Sequence, residues 1–129
     1  MKRLLILSIL LAAPAFADDT TPAQLIAGYE GASGAKADAA RGHELFVATQ
    51  TGGKPDTPSC TTCHGADVTK AGQTRTGKEI APLALSVTPD RFTDTAKVEK
   101  WFGRNCNSVL GRDCTPGEKA DVLAWLATQ

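Results

Sequence analysis

Cys60 and Cys63 stand three positions apart and His64 follows at once, a spacing that suits one kind of metal chemistry closely. Two thiols so placed can form thioethers with the two vinyl groups of a haem, while the next residue swings its imidazole onto the iron. His64 is then the proximal ligand. Its other ring nitrogen should donate to a backbone carbonyl, and Pro82, in Ile80-Ala81-Pro82-Leu83, is a candidate acceptor. Two other chemistries fit less well. A thioredoxin-type redox pair belongs in a βαβ setting, whereas the flanks here read as helix and irregular chain. A structural zinc would have to be gripped by Cys63 and His64 from adjacent positions, which is awkward.

The far side of such an iron needs a ligand of its own. Methionine is the usual one, and the only methionine is Met1. The second histidine, His43, lies one residue off the apolar stripe Ala39/Gly42/Leu45/Phe46 and is expected to face solvent. Asn105 is the stronger candidate. Val98, Trp101, Phe102 and Asn105 recur at i, i+3, i+4 and i+7. If the helix continues past Gly103, Asn105 shares the buried face and its amide needs a partner, which iron can be. If the helix stops at Gly103, Asn105 is only an end cap. Lys78, Lys97, Tyr29 and a water are lesser candidates.

The elements that must position these residues read as helices. Thr21-Pro22 opens a first one, with Leu25, Ile26 and Tyr29 on one face and Gly31 and Gly34 ending it. A second starts near Asp38 and extends to Gln50. Gly42 within it costs about 1 kcal/mol relative to alanine, so close packing against another helix is its expected reason. Residues 50–59 are a loop by composition. Residues 65–90 look mostly irregular, and a stretch this long is expected to wrap something. A third helix begins near Thr93 or Asp94, and a fourth at the capping box Thr115-Pro116-Gly117-Glu118, with Val122, Leu123 and Leu126 buried. Alternating strand patterns are absent, so the expected class is all-α.

Residues 1–17 read as a secretory signal peptide: Lys2 and Arg3, an apolar run from Leu4 to Ala13, then Ala15-Phe16-Ala17 as a cleavage site. The run is too short for a stable membrane anchor, and residues 18–129 form one small domain with no membrane insertion after processing. Without Lys2 and Arg3, the 14 basic residues fall to 12 against 14 acidic, a formal charge of −2. With no basic run or basic helix face, nothing points to nucleic acid. Export implies an oxidising, periplasmic setting, where a disulfide between the remaining Cys106 and Cys114 is the default. Arg75, Lys78 and Arg104 could reach haem propionates, but solvated surface charge is the expected reading of each.

Taken together, the chain resembles the high-spin, oxygen-binding class I cytochromes c known as SHP. The resemblance rests on Pro22-Ala23-Gln24-Leu25-Ile26, on Cys60 to His64 followed by Gly65-Ala66-Asp67, on Gly77-Lys78-Glu79-Ile80-Ala81-Pro82, and on Gly103-Arg104-Asn105-Cys106. It implies a class I cytochrome c fold around one covalently bound haem c, held by Cys60, Cys63 and His64. It also implies that Asn105 is the sixth ligand of ferric iron, with a disulfide joining Cys106 and Cys114 beside it. On reduction the asparagine leaves and oxygen, nitric oxide or carbon monoxide can bind. The functional expectation is an electron carrier with redox-gated gas binding, supplied by another cytochrome or a membrane-bound donor. A haem enzyme reducing oxygen or peroxide, or oxidising nitric oxide, is the alternative. It would need a distal acid–base group, for which the chain offers only His43 and Arg104. A plain carrier ligated by His64 and His43 is a second alternative. A gas sensor is a third, although a short single domain shows no output partner.

Overall fold

The computed structural model describes residues 18–129, and the expected signal peptide lies outside them. The first helix, α1 (Pro22–Ser33), begins where Thr21 Oγ1 accepts from the Gln24 N–H at 3.2 Å, with proline in the first turn where no N–H is needed. It runs through Gly31 and ends only at Gly34, whose φ of 72° is the left-handed conformation that terminates a helix. Helix α2 (Ala39–Val47) is capped by the Asp38 carboxylate, which accepts from Ala40 and Arg41. It ends three residues short of the expected Gln50. A one-turn helix, α3 (Thr61–His64), holds the haem motif. It is followed by a minimal antiparallel hairpin, β1 (Gly72–Gln73) against β2 (Glu79–Ile80), with Gly72 opposite Ile80. The expected absence of strands is corrected to that extent: two residues a side are too few to show an alternating pattern. Helix α4 (Thr95–Leu110) is capped by Asp94, and α5 (Pro116–Leu126) has the predicted reciprocal capping box between Thr115 and Glu118. Among the described residues no helix is long and apolar enough to cross a membrane.

The core is built on α5. Helix α2 crosses it at Gly42, where an added Cβ would sit inside contact distance of the Asp121 carbonyl and the Val122 nitrogen. Only glycine lets the two backbones meet this closely. Asp121, 8% exposed, fastens the same crossing. Its carboxylate accepts from Arg41 Nε at 2.8 Å, from Arg41 Nη2 at 2.9 Å and from the Asp38 N–H at 2.6 Å. A carboxylate this buried needs such hydrogen bonds to offset the water it has lost. Phe46, Val68, Leu83, Ala84, Val122, Trp125 and Leu126 form the larger apolar cluster. Leu25, Val98 and Leu123 form a smaller one joining α1, α4 and α5, and Phe92 and Phe102 pack against both. The glycine- and proline-rich stretch after the motif is pinned by Val68, whose carbonyl accepts from the N–H groups of Leu83 and Ala84, both at 3.0 Å.

Candidate haem site

The motif is delivered by the preceding loop. Ser59 Oγ donates to the Phe46 carbonyl at 3.1 Å, and the Gln50 N–H donates to Pro58 at 2.7 Å. The same loop grips the end of α4: the Lys54 N–H (2.7 Å) and Thr57 Oγ1 (3.1 Å) both donate to the Ser108 carbonyl. Gly53 lies so close that a Cβ would collide with the Ser108 and Val109 carbonyls. The turn of α4 that carries Asn105 and Cys106 is thereby tied to the chain that leads into Cys60.

Within α3, the His64 N–H donates to the Cys60 carbonyl at 3.1 Å, and Gly65, with φ 73°, ends the turn. The His64 ring is half-buried, 6.0 Å from the Phe46 ring, which in turn lies 4.9 Å from Trp125. Burial, helped by the charge of Arg91, pushes the imidazole down to about 4. It is therefore neutral near pH 7, the form that ligates iron. Burial pushes the Cys60 thiol up to about 11. A thiol so hard to ionise is a poor half of a redox pair, whereas a thioether carries no charge to desolvate. Among the described residues no group of three or more His, Cys, Asp or Glu converges to hold an ion. The residues fit a covalently held haem. A polar cleft of about 700 Å³ opens beside Cys63, walled by Thr61, Thr62, Gln73, Arg75 and Glu79 among others, and none of the apolar core around His64 lines it.

Helix α4 runs unbroken through Gly103 to Leu110 and ends at Gly111, so Asn105 is not its cap. The amide that braces the helix end is that of Asn107, donating to the Gly103 carbonyl at 2.8 Å and to Asp113 at 2.6 Å. Asn105 is half-buried on the side of Val98, Phe102 and Val109. Trp101, placed on that face by spacing, is instead 46% exposed. It sits at the stripe's edge, with Arg104 (5.4 Å) and Lys100 (5.7 Å) over its ring. The structure brings Cys106 and Cys114 together at bonding distance, with Cα atoms 5.5 Å apart. His43 is exposed as expected, its ring 4.9 Å from Trp125, and the rings of Trp125 and Phe46 link it in series to His64. Tyr29 is engaged with Glu99, Arg75 pairs with Asp56 at 2.5 Å, and Lys78 and Lys97 are exposed.

Sequence reasoning missed one residue near the site. The Pro82 carbonyl, expected to serve His64, accepts from Arg91 Nε at 2.7 Å, and Arg91 Nη2 donates to the neighbouring Ala81 carbonyl. No motif marks Arg91.

A Cys-x-x-Cys-His turn with a neutral, half-buried histidine, set against crossed helices, defines a c-type cytochrome of class I. A family model described as a domain of unknown function (DUF1924) matches residues 32–126. The cytochrome c-type protein SHP of Cereibacter sphaeroides is 81% identical over 129 residues, covering 100% of each chain. The structure of oxidised SHP, an oxygen-binding cytochrome c, is 84% identical, with TM-score 0.85 over 86% of this chain and 99% of that one. The solution structure of Methylophilus methylotrophus cytochrome c'' matches with TM-score 0.69 at 33% identity, over 84% and 93% of the two chains. The chain belongs to the SHP family of cytochromes c, and its cofactor is covalently bound haem c.

Proposed function

We propose that this protein is a periplasmic, single-haem cytochrome c that carries electrons and, when reduced, opens its sixth position to oxygen or nitric oxide. Haem c supplies the iron that takes up one electron and can bind a diatomic gas. Cys60 and Cys63 would hold the group covalently, His64 would ligate its iron, and the Asn105 side-chain oxygen would supply a second, exchangeable ligand while the iron is oxidised. The observation that carries this reading is the unbroken course of α4 past Gly103, which puts a half-buried amide where no methionine exists downstream of Met1. An amide oxygen is a hard, neutral, weak donor. It suits ferric iron better than the softer, less charged ferrous iron, so reduction releases it. The tether between Ser108 and the motif's loop, with the Cys106–Cys114 bridge beside Asn105, holds the backbone in register while the side chain moves.

Two relatives support the reading. SHP is described as oxygen binding, and the cytochrome c'' structure was analysed for the basis of haem-ligand detachment. Electrons come from another cytochrome or a membrane-bound donor. The test is an optical spectrum of oxidised and reduced protein, with and without carbon monoxide. A high-spin ferrous spectrum that shifts on adding the gas is expected. A low-spin ferrous haem indifferent to carbon monoxide would reject the proposal.

A further inference from the structure

Helix α4 has two unlike faces. Val98, Cys106 and Val109 are buried, and Phe102 packs beside them. Lys97, Lys100, Trp101 and Arg104 stand at i, i+3, i+4 and i+7 and form one exposed stripe. Trp101 is the one Phe, Tyr or Trp of the described residues that is exposed. The Arg104 guanidinium lies 5.4 Å from its ring centre and the Lys100 ammonium 5.7 Å. Among the described residues none of the three cations of the stripe makes an ion pair. Glu99, the acid within α4, serves Tyr29 and Lys119 instead. Asp94 caps the helix by accepting from the Lys97 N–H at 2.9 Å. Three unanswered positive charges thus gather around one indole, although residues 18–129 sum to a formal charge of −2.

The stripe adjoins the candidate sixth ligand. Asn105 follows Arg104 and stands one turn beyond Trp101, about 40° round the helix and about 6 Å along it. It is half-buried, at the border between the stripe and the apolar face. We infer that Lys97, Lys100, Trp101 and Arg104 form the docking surface for an acidic electron-donor protein, which sets carboxylates among the cations and apolar surface on the indole. This rests on the protein being an electron carrier. Clustered cations speed encounter with an acidic partner and fix its orientation. Tryptophan and arginine are the side chains that most often hold an interface at its centre. A lipid surface fits the stripe less well. A helix lying in lipid buries a broad apolar face, whereas Trp101 is the one large apolar side chain exposed on α4.

The test is stopped-flow reduction of the oxidised, haem-loaded protein by fully reduced flavodoxin, an acidic one-electron donor used as the probe. One electron passes from its flavin to ferric iron, and no bond is made or broken. Photoreduced lumiflavin, small and without a phosphate, is the reference reductant that needs no docking. At low ionic strength, Lys97→Gln with Lys100→Gln should slow the flavodoxin reaction about tenfold, and added salt should shrink the difference. Trp101→Ala should slow it about threefold while keeping the salt dependence of the parent. Both variants should react with lumiflavin within about twofold of the parent, since neither alters the haem's own surroundings. Lys54 and Lys70 are exposed lysines flanking the haem motif, and Lys54→Gln with Lys70→Gln removes the same charge there. That pair should leave the flavodoxin rate within about twofold. A parent-like flavodoxin rate in either α4 variant overturns the inference, as does an equal loss in the Lys54/Lys70 pair. Sedimentation of the parent with phosphatidylglycerol vesicles, lost in the Lys97/Lys100 variant, would assign the stripe to a membrane and overturn it too. A haem that lumiflavin leaves oxidised would instead refute electron carriage itself, so the two failures are distinguishable.

Discussion

Asn105 has little ligand strength of its own. In the proposed reading its role depends on the mismatch between a hard oxygen donor and a softening iron, so replacing the donor atom should matter more than altering the fold around it. Asn105→Met supplies a thioether that suits ferrous iron. The expected outcome is a low-spin haem in both redox states, with carbon monoxide affinity reduced at least about tenfold, or about 1.4 kcal/mol. Equilibrium gas titration followed optically checks this. If the variant binds the gas as the parent does, Asn105 is not at the sixth position. Cys60 and His64 show the complementary logic, because burial keeps both uncharged and so ready for a thioether and a neutral imidazole.

At the scale of elements, the crossing of α2 over α5 places Phe46 beside His64 and leaves no room at Gly42. In an exposed helix, glycine to alanine stabilises by about 1 kcal/mol. Here Gly42→Ala must push the Asp121 backbone away and should destabilise by roughly 1–3 kcal/mol, lowering the thermal midpoint seen by circular dichroism. A midpoint that rises would mean that the crossing has slack. Helix α5 offers a pH-dependent case. Glu118 accepts from Arg112 through both oxygens at 2.8 Å and from the Thr115 N–H at 2.8 Å. These partners, Arg112 foremost, hold its carboxyl below the usual glutamate value. A folded-state value below the unfolded one adds stability above the ordinary carboxylate range and loses it as acid protonates the folded form. Glu118→Gln should therefore cost about 1 kcal/mol near neutrality, with the gap from the parent closing as acid protonates the folded carboxyl, below the ordinary glutamate range. Denaturant unfolding at several pH values tests this, and a gap independent of pH would remove the carboxylate from the account.

At the scale of the molecule, the chain joins two distant stretches around the site, the loop ahead of Cys60 and the C-terminal turn of α4, through Lys54, Thr57 and Ser108. The bridge between Cys106 and Cys114 closes that turn onto the start of α5 across a sequence separation of 8. A loop of this size stabilises by about 2.5 kcal/mol in the chain-entropy model. Replacing both cysteines with serine should lower unfolding free energy by that order. It should also speed the release of Asn105 on reduction, read by stopped-flow mixing with carbon monoxide. Unchanged stability and rate would show the bridge to be idle in both respects.

The haem motif, the missing methionine, the helix starts at Thr21, Asp38, Asp94 and Thr115, and the reason for Gly42 were legible in the sequence. Each depends on residue type at short spacing, where covalent geometry and hydrogen-bond capacity act locally. What ran past Gly103 was not legible, because glycine permits a helix without requiring one. Packing of Val98, Cys106 and Val109 kept α4 intact, and Asn107, not Asn105, took the bracing role. Trp101 lies off its predicted face, 46% exposed, because the edge of a stripe is settled by neighbouring elements. Arg91 on the Pro82 carbonyl was equally hidden, since it depends on a left-handed Phe92 anchored in a core assembled from three helices. Local chemistry, in short, determined which residues of this chain are suited to hold the haem, whereas long-range packing decided what stands around them, because contacts between residues far apart in sequence exist only once the helices have met.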